Sequence, residues 1–204
     1  MASGSLISRA KFLGLMAAGG VLGYGGVLVG QRSIEGWREN TVEVPTPKFD
    51  PTAYRLTIDG LCEQPFTLTY DDLRGLPAVT QVSDFHCVEG WTVPDVKWQG
   101  VRLQQIIDRA KPSKDARYIT FHSMGGIYRD SLALQQAQLP DALLAYDMDD
   151  ARLPEQRGAP LRVVMPRMFG YKGAKWLRRI EFRDDQDIGY WEDRGWRVDA
   201  WIKA

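Results

Sequence analysis

Alternating apolar and polar positions lay out most of the body of this 204-residue chain. Tyr54, Leu56 and Ile58 alternate with polar neighbours, Asp59-Gly60 makes a turn, and Phe66, Leu68 and Tyr70 alternate again, which predicts a hairpin-like pair of strands. Asp71 is placed to cap a short helix that stops at Gly75. A strand is predicted from Val79 to Phe85, after which Leu103, Ile106, Ile107 and Ala110 recur at helical spacing, closed by Pro112. Tyr118 to Ser123 reads as a strand leading into the turn Gly125-Gly126, and Leu143 to Met148, Leu161 to Met165 and Ile180 to Phe182 read as further short strands. The predicted class is therefore α+β, one domain with several short mixed strands and few helices. Strands do not alternate with long helices, which argues against a doubly wound sheet. Neither a glycine-rich nucleotide fingerprint nor a Gly-x-Ser-x-Gly elbow is present.

The amino end follows a different pattern. Phe12 to Gly30 is a run of nineteen residues without a charge, twelve apolar and seven glycine, preceded by Arg9 and Lys11. This is near the length of a spanning helix, and it equally fits a basic n-region followed by the apolar stretch of an export signal. A buried core helix is the third reading, but each glycine in a helix interior costs roughly 0.5–1 kcal/mol. Residues 8 to 13 also look like a degenerate twin-arginine motif, with Ala10 in place of the second arginine. The bases before the run place the body outside the cytoplasm, periplasmic or tethered to the membrane by residues 12–30. The expected organisation is an export signal or anchor over 1–35, a linker over 36–52 that includes three prolines between Thr41 and Pro51, and a body over 53–204.

Composition narrows the function. Bases and acids number 26 each, so the net charge is zero and a general nucleic-acid binder is disfavoured. Two cysteines make no disulfide scaffold, and with only two histidines beside them a closed structural zinc site is disfavoured too. Cys87, in His86-Cys87-Val88-Glu89-Gly90-Trp91, has three chemical uses: nucleophilic thiolate, soft metal ligand or small buried hydrophobe. His86 and His122 are the candidate bases for a nucleophile, although on an extended strand adjacent side chains point to opposite faces. Cys62 reads as structural. Glu89 either shares the Cys87 face and shapes a pocket or holds a local hydrogen bond.

From Arg152 to Arg179 the chain carries Arg152, Arg157, Arg162, Arg167, Lys172, Lys175, Arg178 and Arg179 against the single acid Glu155. Gly158, Gly170 and Gly173 are interleaved, so the stretch reads as a site for a phosphate or other oxyanion, with a solvated basic face as the plain alternative. The aspartate pairs 149–150 and 184–185 read as solvated turns.

Three motifs in fixed order resemble a known family. They are His86-Cys87-Val88-Glu89-Gly90-Trp91 with Trp98-Gln99-Gly100-Val101-Arg102-Leu103, then Gly158-Ala159-Pro160-Leu161-Arg162-Val163-Val164-Met165-Pro166, then Tyr171-Lys172-Gly173-Ala174-Lys175-Trp176-Leu177. Over roughly residues 50 to 195 the chain resembles the sulfite oxidase family of molybdopterin oxidoreductases, in its short bacterial form. The resemblance implies a molybdenum-molybdopterin cofactor with Cys87 as the one protein ligand to molybdenum and the catalytic residue. It implies cofactor contacts from His86, Ser123, Arg157, Arg162, Gly173, Ala174 and Lys175. It further implies oxygen-atom transfer on a sulfoxide, an N-oxide or an oxidised side chain, with electrons exchanged through a separate haem-bearing membrane protein or cytochrome. Sulfite oxidation, a non-catalytic subunit that keeps the fold, and a metal-free thiol hydrolase are the competing functions.

Overall fold

Leu56 and Ile58 lie fully buried on one face of the first strand while Arg55, Thr57 and Asp59 take the other, and this period-two burial recurs through the body. The computed structural model describes residues 36–38 and 40–202, so the apolar run and the expected export or anchor segment lie outside the described residues. Among the described residues no helix is long and apolar enough to cross a membrane. In chain order the strands are β1 (Arg55–Gly60), β2 (Phe66–Thr69), β3 (Val79–His86), β4 (Thr92–Arg102), β5 (Tyr118–Ser123), β6 (Arg129–Ala133), β7 (Leu143–Met148), β8 (Ala151–Arg152), β9 (Arg162–Val164) and β10 (Leu177–Arg183). The described helices are short: α1 (Tyr70–Arg74), α2 (Leu103–Ala110) and α3 (Leu134–Ala137). The α+β expectation holds.

One sheet has the order β2-β1-β10-β5-β6, in which β1 and β10 are parallel and every other pair is antiparallel. The other has β3-β4-β7, with β8 and β9 both pairing along the remaining side of β7. Leu56, Ile58, Phe121, Ile180 and Phe182 from the first sheet and Val101, Leu144, Tyr146 and Val163 from the second share a single core with α2. Each such fully buried side chain stabilises the fold by about 1.5–3 kcal/mol. The helical spacing of residues 103 to 110 supplies the α2 contribution, Leu103, Ile106, Ile107 and Ala110.

One local expectation needs correction. Thr69, not Asp71, caps α1: its hydroxyl accepts from Asp72 N–H at 3.0 Å while Asp72 Oδ2 accepts from Thr69 N–H at 3.0 Å, a reciprocal box that Asp71 is too far into the helix to make. The segment from Thr41 to Pro51 has no regular structure, yet it is anchored. Glu43 is buried, and its Oε1 accepts from Ile127 N–H at 3.1 Å and Tyr128 N–H at 2.8 Å, which fixes it on the turn after β5.

Candidate functional site

The β3–β4 hairpin carries Cys87 at the first position of its connection. Cys87 N–H donates to the Trp91 carbonyl at 2.9 Å and Gly90 N–H to the Cys87 carbonyl at 3.0 Å, so the connection is closed by its own backbone and leaves the thiol half-buried. The thiol donates to Glu89 Oε2 at 3.8 Å. That oxygen also accepts from Trp91 Nε1 at 3.1 Å and Asn40 Nδ2 at 2.9 Å, three donors that together hold the carboxyl group beside the sulfur. Both histidines are engaged elsewhere. His86 Nδ1 bonds Thr92 Oγ1 across the hairpin at 2.9 Å, and His122 Nε2 bonds Glu181 Oε2 at 2.9 Å on the first sheet. Burial lowers the His122 pKa in spite of Glu181. The cysteine–histidine arrangement of a thiol hydrolase is not assembled.

Arg162, at the start of β9, forms the second part of the site. It is 3% exposed, and its guanidinium lies between the rings of Phe85 and Trp98, 5.2 Å from each centroid. Nη1 donates to the Arg157 carbonyl at 3.1 Å, whereas Nε is buried with no hydrogen-bond partner. Burial first, and the nearby Arg157 charge second, push its pKa down to about 10. A guanidinium carried into the interior without a carboxylate is unfavourable by itself and is completed by an anion. A small cleft, partly open to solvent, runs past it, walled by Asp84 to His86 of β3, Trp98, β9, Gly170 and Gly173.

The third part is the segment from Gly173 to Trp176, which is laced to the segment from Gly158 to Val163. Val163 N–H donates to the Ala174 carbonyl at 2.9 Å, Leu177 N–H to Leu161 at 2.9 Å and Trp176 N–H to Gly158 at 3.1 Å. Close approach explains two of the glycines. A Cβ on Gly173 would stand 2.7 Å from the Val163 carbonyl oxygen and 3.3 Å from Arg162 Nη2, and one on Gly158, whose φ is +112°, would stand 2.9 Å from Lys175 Cβ. Lys175 Nζ donates to the Gln156 carbonyl at 3.2 Å and the Asn40 carbonyl at 3.1 Å. Asn40 thus holds Lys175 with its backbone and Glu89 with its side chain, which ties the Cys87 turn to the basic segment. Trp176, at φ +51°, is kept in a conformation bulky residues avoid by its Nε1 bond to the Glu155 carbonyl at 2.7 Å. Ser123 ends β5 opposite Leu177, and its hydroxyl is fully buried without a partner.

The eight bases from Arg152 to Arg179 do not act as one patch. Arg167 pairs with Asp141 at 2.8 Å, Arg179 with Asp59 at 2.9 Å, Lys172 with two buried carboxyl groups, and Arg152 lies over the Tyr70 ring, while Arg178 is exposed. Arg157, Arg162 and Lys175 remain together, joined through the 156–157 backbone. Cys62 bridges Pro112 by backbone pairing and packs on the core, and burial raises its pKa. Asn40, Phe85 and Trp98 are site residues that the sequence pattern did not single out for a role. Asn40 sits in a stretch without periodicity, and the two aromatics read as ordinary core positions.

Residues 43–191 match the family model described as the oxidoreductase molybdopterin binding domain. YuiH, an uncharacterised oxidoreductase of Bacillus subtilis, is 36% identical over 154 residues, 74% of this chain and 77% of that protein. The protein-methionine-sulfoxide reductase catalytic subunit of Ralstonia nicotianae is 34% identical over 176 residues, 74% of this chain and 53% of that protein. The chain therefore spans about half the length of the reductase relatives it matches. In the crystal structure of the sulfane dehydrogenase SoxCD from Paracoccus pantotrophus, a likeness of fold covers 69% of this chain and 41% of that one, with TM-score 0.64 and 22% identity.

Proposed function

Because the chain belongs to the oxidoreductase molybdopterin-binding domain family, of sulfite oxidase type, we propose that it reduces a neutral sulfoxide or N-oxide, free or as an oxidised side chain, at a molybdenum ligated by Cys87. The residues fit the cofactor. Two buried polar groups without protein partners, the Ser123 hydroxyl and Arg162 Nε, lie on strands that flank the laced segment of Gly173, Ala174 and Lys175. A cation with no carboxylate on it suits the pterin phosphate, and glycine at 158 and 173 lets backbone and ligand approach closely. Cys87 offers one soft sulfur ligand and leaves the remaining positions to the cofactor and substrate.

Molybdenum supplies two-electron oxygen-atom transfer, which a chain without redox cofactor chemistry of its own lacks. The reaction consumes two electrons and two protons per oxide, releasing the reduced compound and water, and the electrons come from a separate electron-transfer partner. In this reading Arg162, Arg157 and Lys175 anchor the pterin side, Ser123 and the Gly173-Ala174 backbone orient it, and His86 contributes to the cleft wall. The body is exported, or held outside the cytoplasm by residues 12–30.

The observation that carries the substrate class is the Glu89 carboxylate 3.8 Å from the Cys87 sulfur. A fixed negative charge there repels a sulfite dianion and leaves a neutral oxide unaffected. On molybdenum-replete protein, kcat/KM for oxide reduction with an artificial donor is expected to exceed that for sulfite oxidation with an artificial acceptor. Cys87→Ser is expected to lose turnover and change or lose the molybdenum signal, and Cys62→Ser to do neither. Efficient sulfite oxidation without oxide reduction would overturn the substrate reading, and an active Cys87→Ser enzyme the ligand.

A further inference from the structure

Lys172, Asp130 and Glu192 come from three separate elements, the turn before Gly173, β6 and the turn at Glu192–Arg194, and meet in the interior. Lys172 Nζ donates to Asp130 Oδ1 at 2.5 Å and to Glu192 Oε1 at 2.6 Å, with the three side chains 2%, 0% and 1% exposed. Two carboxylates on one ammonium would leave a net negative charge where water does not reach, a costly arrangement. The other two carboxyl oxygens, Asp130 Oδ2 and Glu192 Oε2, are buried without a donor, although the two carboxyl groups lie within hydrogen-bond reach of each other. Two neighbouring carboxyl groups, each with a buried oxygen that lacks a donor, are satisfied by one proton between them.

The surroundings offer no other donor for these two oxygens. Ser131 N–H donates to Asp130 Oδ1 at 2.6 Å. The nearest titratable neighbours are Tyr128 and Tyr171, with Arg162 beyond Tyr128. The Tyr128 hydroxyl donates to the Tyr171 carbonyl and the Tyr171 hydroxyl to the Arg197 carbonyl, so neither reaches the acids. Gly189 closes the remaining side, because a Cβ there would collide with Glu192 Oε2 and stand 3.0 Å from Asp130 Oδ1.

We propose that Asp130 and Glu192 share one proton, Asp130 Oδ2–H donating to Glu192 Oε2, and that the resulting neutral triad is a lock positioning the Gly170–Gly173 wall of the cofactor cleft against β6 and the C-terminal segment. Burial pushes Asp130 well above the carboxylate range, more than Lys172 restores. The lock bears on the site through Gly173, next in sequence to Lys172, where an added Cβ would stand 2.7 Å from the Val163 carbonyl oxygen and 3.3 Å from Arg162 Nη2. Asp130, Lys172 and Glu192 are positioning residues. Their role as a wall for the pterin rests on the proposed function; the shared proton does not.

The test compares wild-type holoprotein with Asp130→Asn and Lys172→Met. Asparagine reproduces the protonated acid, Oδ1 accepting and Nδ2 donating to Glu192, whereas methionine removes the ammonium that both acids need. Infrared difference spectroscopy in H2O and D2O is expected to show the carbonyl stretch of a buried protonated carboxyl in the wild type at pH 7 and to lose it in Asp130→Asn. A raised acid is stabilising below its ordinary value of 3.8 and loses that contribution as pH rises toward its folded value. The melting temperature of the wild type relative to Asp130→Asn should therefore fall with rising pH over that window. Pterin content should stay near wild type in Asp130→Asn and drop at least about fivefold in Lys172→Met. Absence of the carboxyl band, or a flat pH difference, overturns the shared proton. Band and pH dependence present with full pterin in Lys172→Met overturns the positioning role alone.

Discussion

Replacing Arg162 by methionine should stabilise the cofactor-free protein and at the same time impair cofactor retention. Burial lowers the arginine pKa to about 10, and at about 1.4 kcal/mol per pKa unit the folded chain carries this charge at a cost of about 3 kcal/mol. Methionine keeps a flexible apolar body between Phe85 and Trp98 and gives up the hydrogen bond to the Arg157 carbonyl, about 1 kcal/mol, together with part of the stacking on the two rings. The net gain expected is about 1–2 kcal/mol, which for a chain of this size raises Tm by about 2–8 °C. The sign with pH is definite. A base whose folded pKa is lowered carries its cost fully below that value, and the cost is relieved only as pH rises above about 10. The Tm difference should thus be flat from pH 6 to 9. The assay is thermal melting of protein purified from a host that makes no pterin, with and without inorganic phosphate, beside pterin analysis of protein from a competent host. Phosphate should raise Tm of the wild type and not of Arg162→Met, and the variant should retain little pterin. A variant that melts below wild type without cofactor, or one that keeps full pterin, would refute the idea that this guanidinium is buried in order to meet an anion.

Two further outcomes follow from other parts of the molecule. Gly158→Ala combines a left-handed backbone with a Cβ 2.9 Å from Lys175 Cβ and 3.1 Å from its Cα, neighbours that cannot swing aside; it should lower Tm by about 5–12 °C and reduce pterin content, whereas Gly75→Ala, with its nearest contact at 3.4 Å, should do neither. A reporter fused after residue 204 should be active outside the cytoplasm and silent within it; the reverse result would defeat the orientation inferred from Arg9 and Lys11.

The legible elements were those whose burial follows a simple period. β7 has its predicted bounds because all six residues are buried, an uninterrupted apolar run apart from Asp147, and α2 is bounded by Leu103 and Ala110 for the reason its spacing suggested. β4, eleven residues long and central in its sheet, was not read as a strand because Pro94 and Asp95 interrupt it. The structure tolerates them as a bulge: Phe85 faces Val93 and Ser83 faces Val96, so Pro94 and Asp95 oppose Asp84 alone, and Asp84 Oδ1 accepts the Asp95 N–H at 3.0 Å. The site was legible by residue type at Cys87, Arg162 and Lys175, where motif and glycine spacing coincide. It was illegible at Asn40, whose importance comes from a contact across 135 residues to Lys175 that no local pattern encodes. The basic stretch was overread for a related reason, since sequence gives the charges of 152 to 179 but not the distant carboxylates, Asp59, Asp130, Asp141 and Glu192, that neutralise three of them, Arg167, Lys172 and Arg179.

β10 lies between β1 and β5, and among the described residues it is the last strand in chain order. During synthesis the two halves of that sheet, β1 with β2 and β5 with β6, can form as separate hairpins, but they cannot be joined until residue 183 has left the ribosome. Ser123 borders β10 and Lys175 immediately precedes it, so neither has its final neighbours before that moment. Closure across more than a hundred residues is slow relative to local pairing, and the site is therefore assembled last, from a chain already folded at both flanks. A polypeptide made only as far as β6 has not yet brought Ser123 and Lys175 to their final neighbours, so cofactor insertion is expected to follow the pairing of β10.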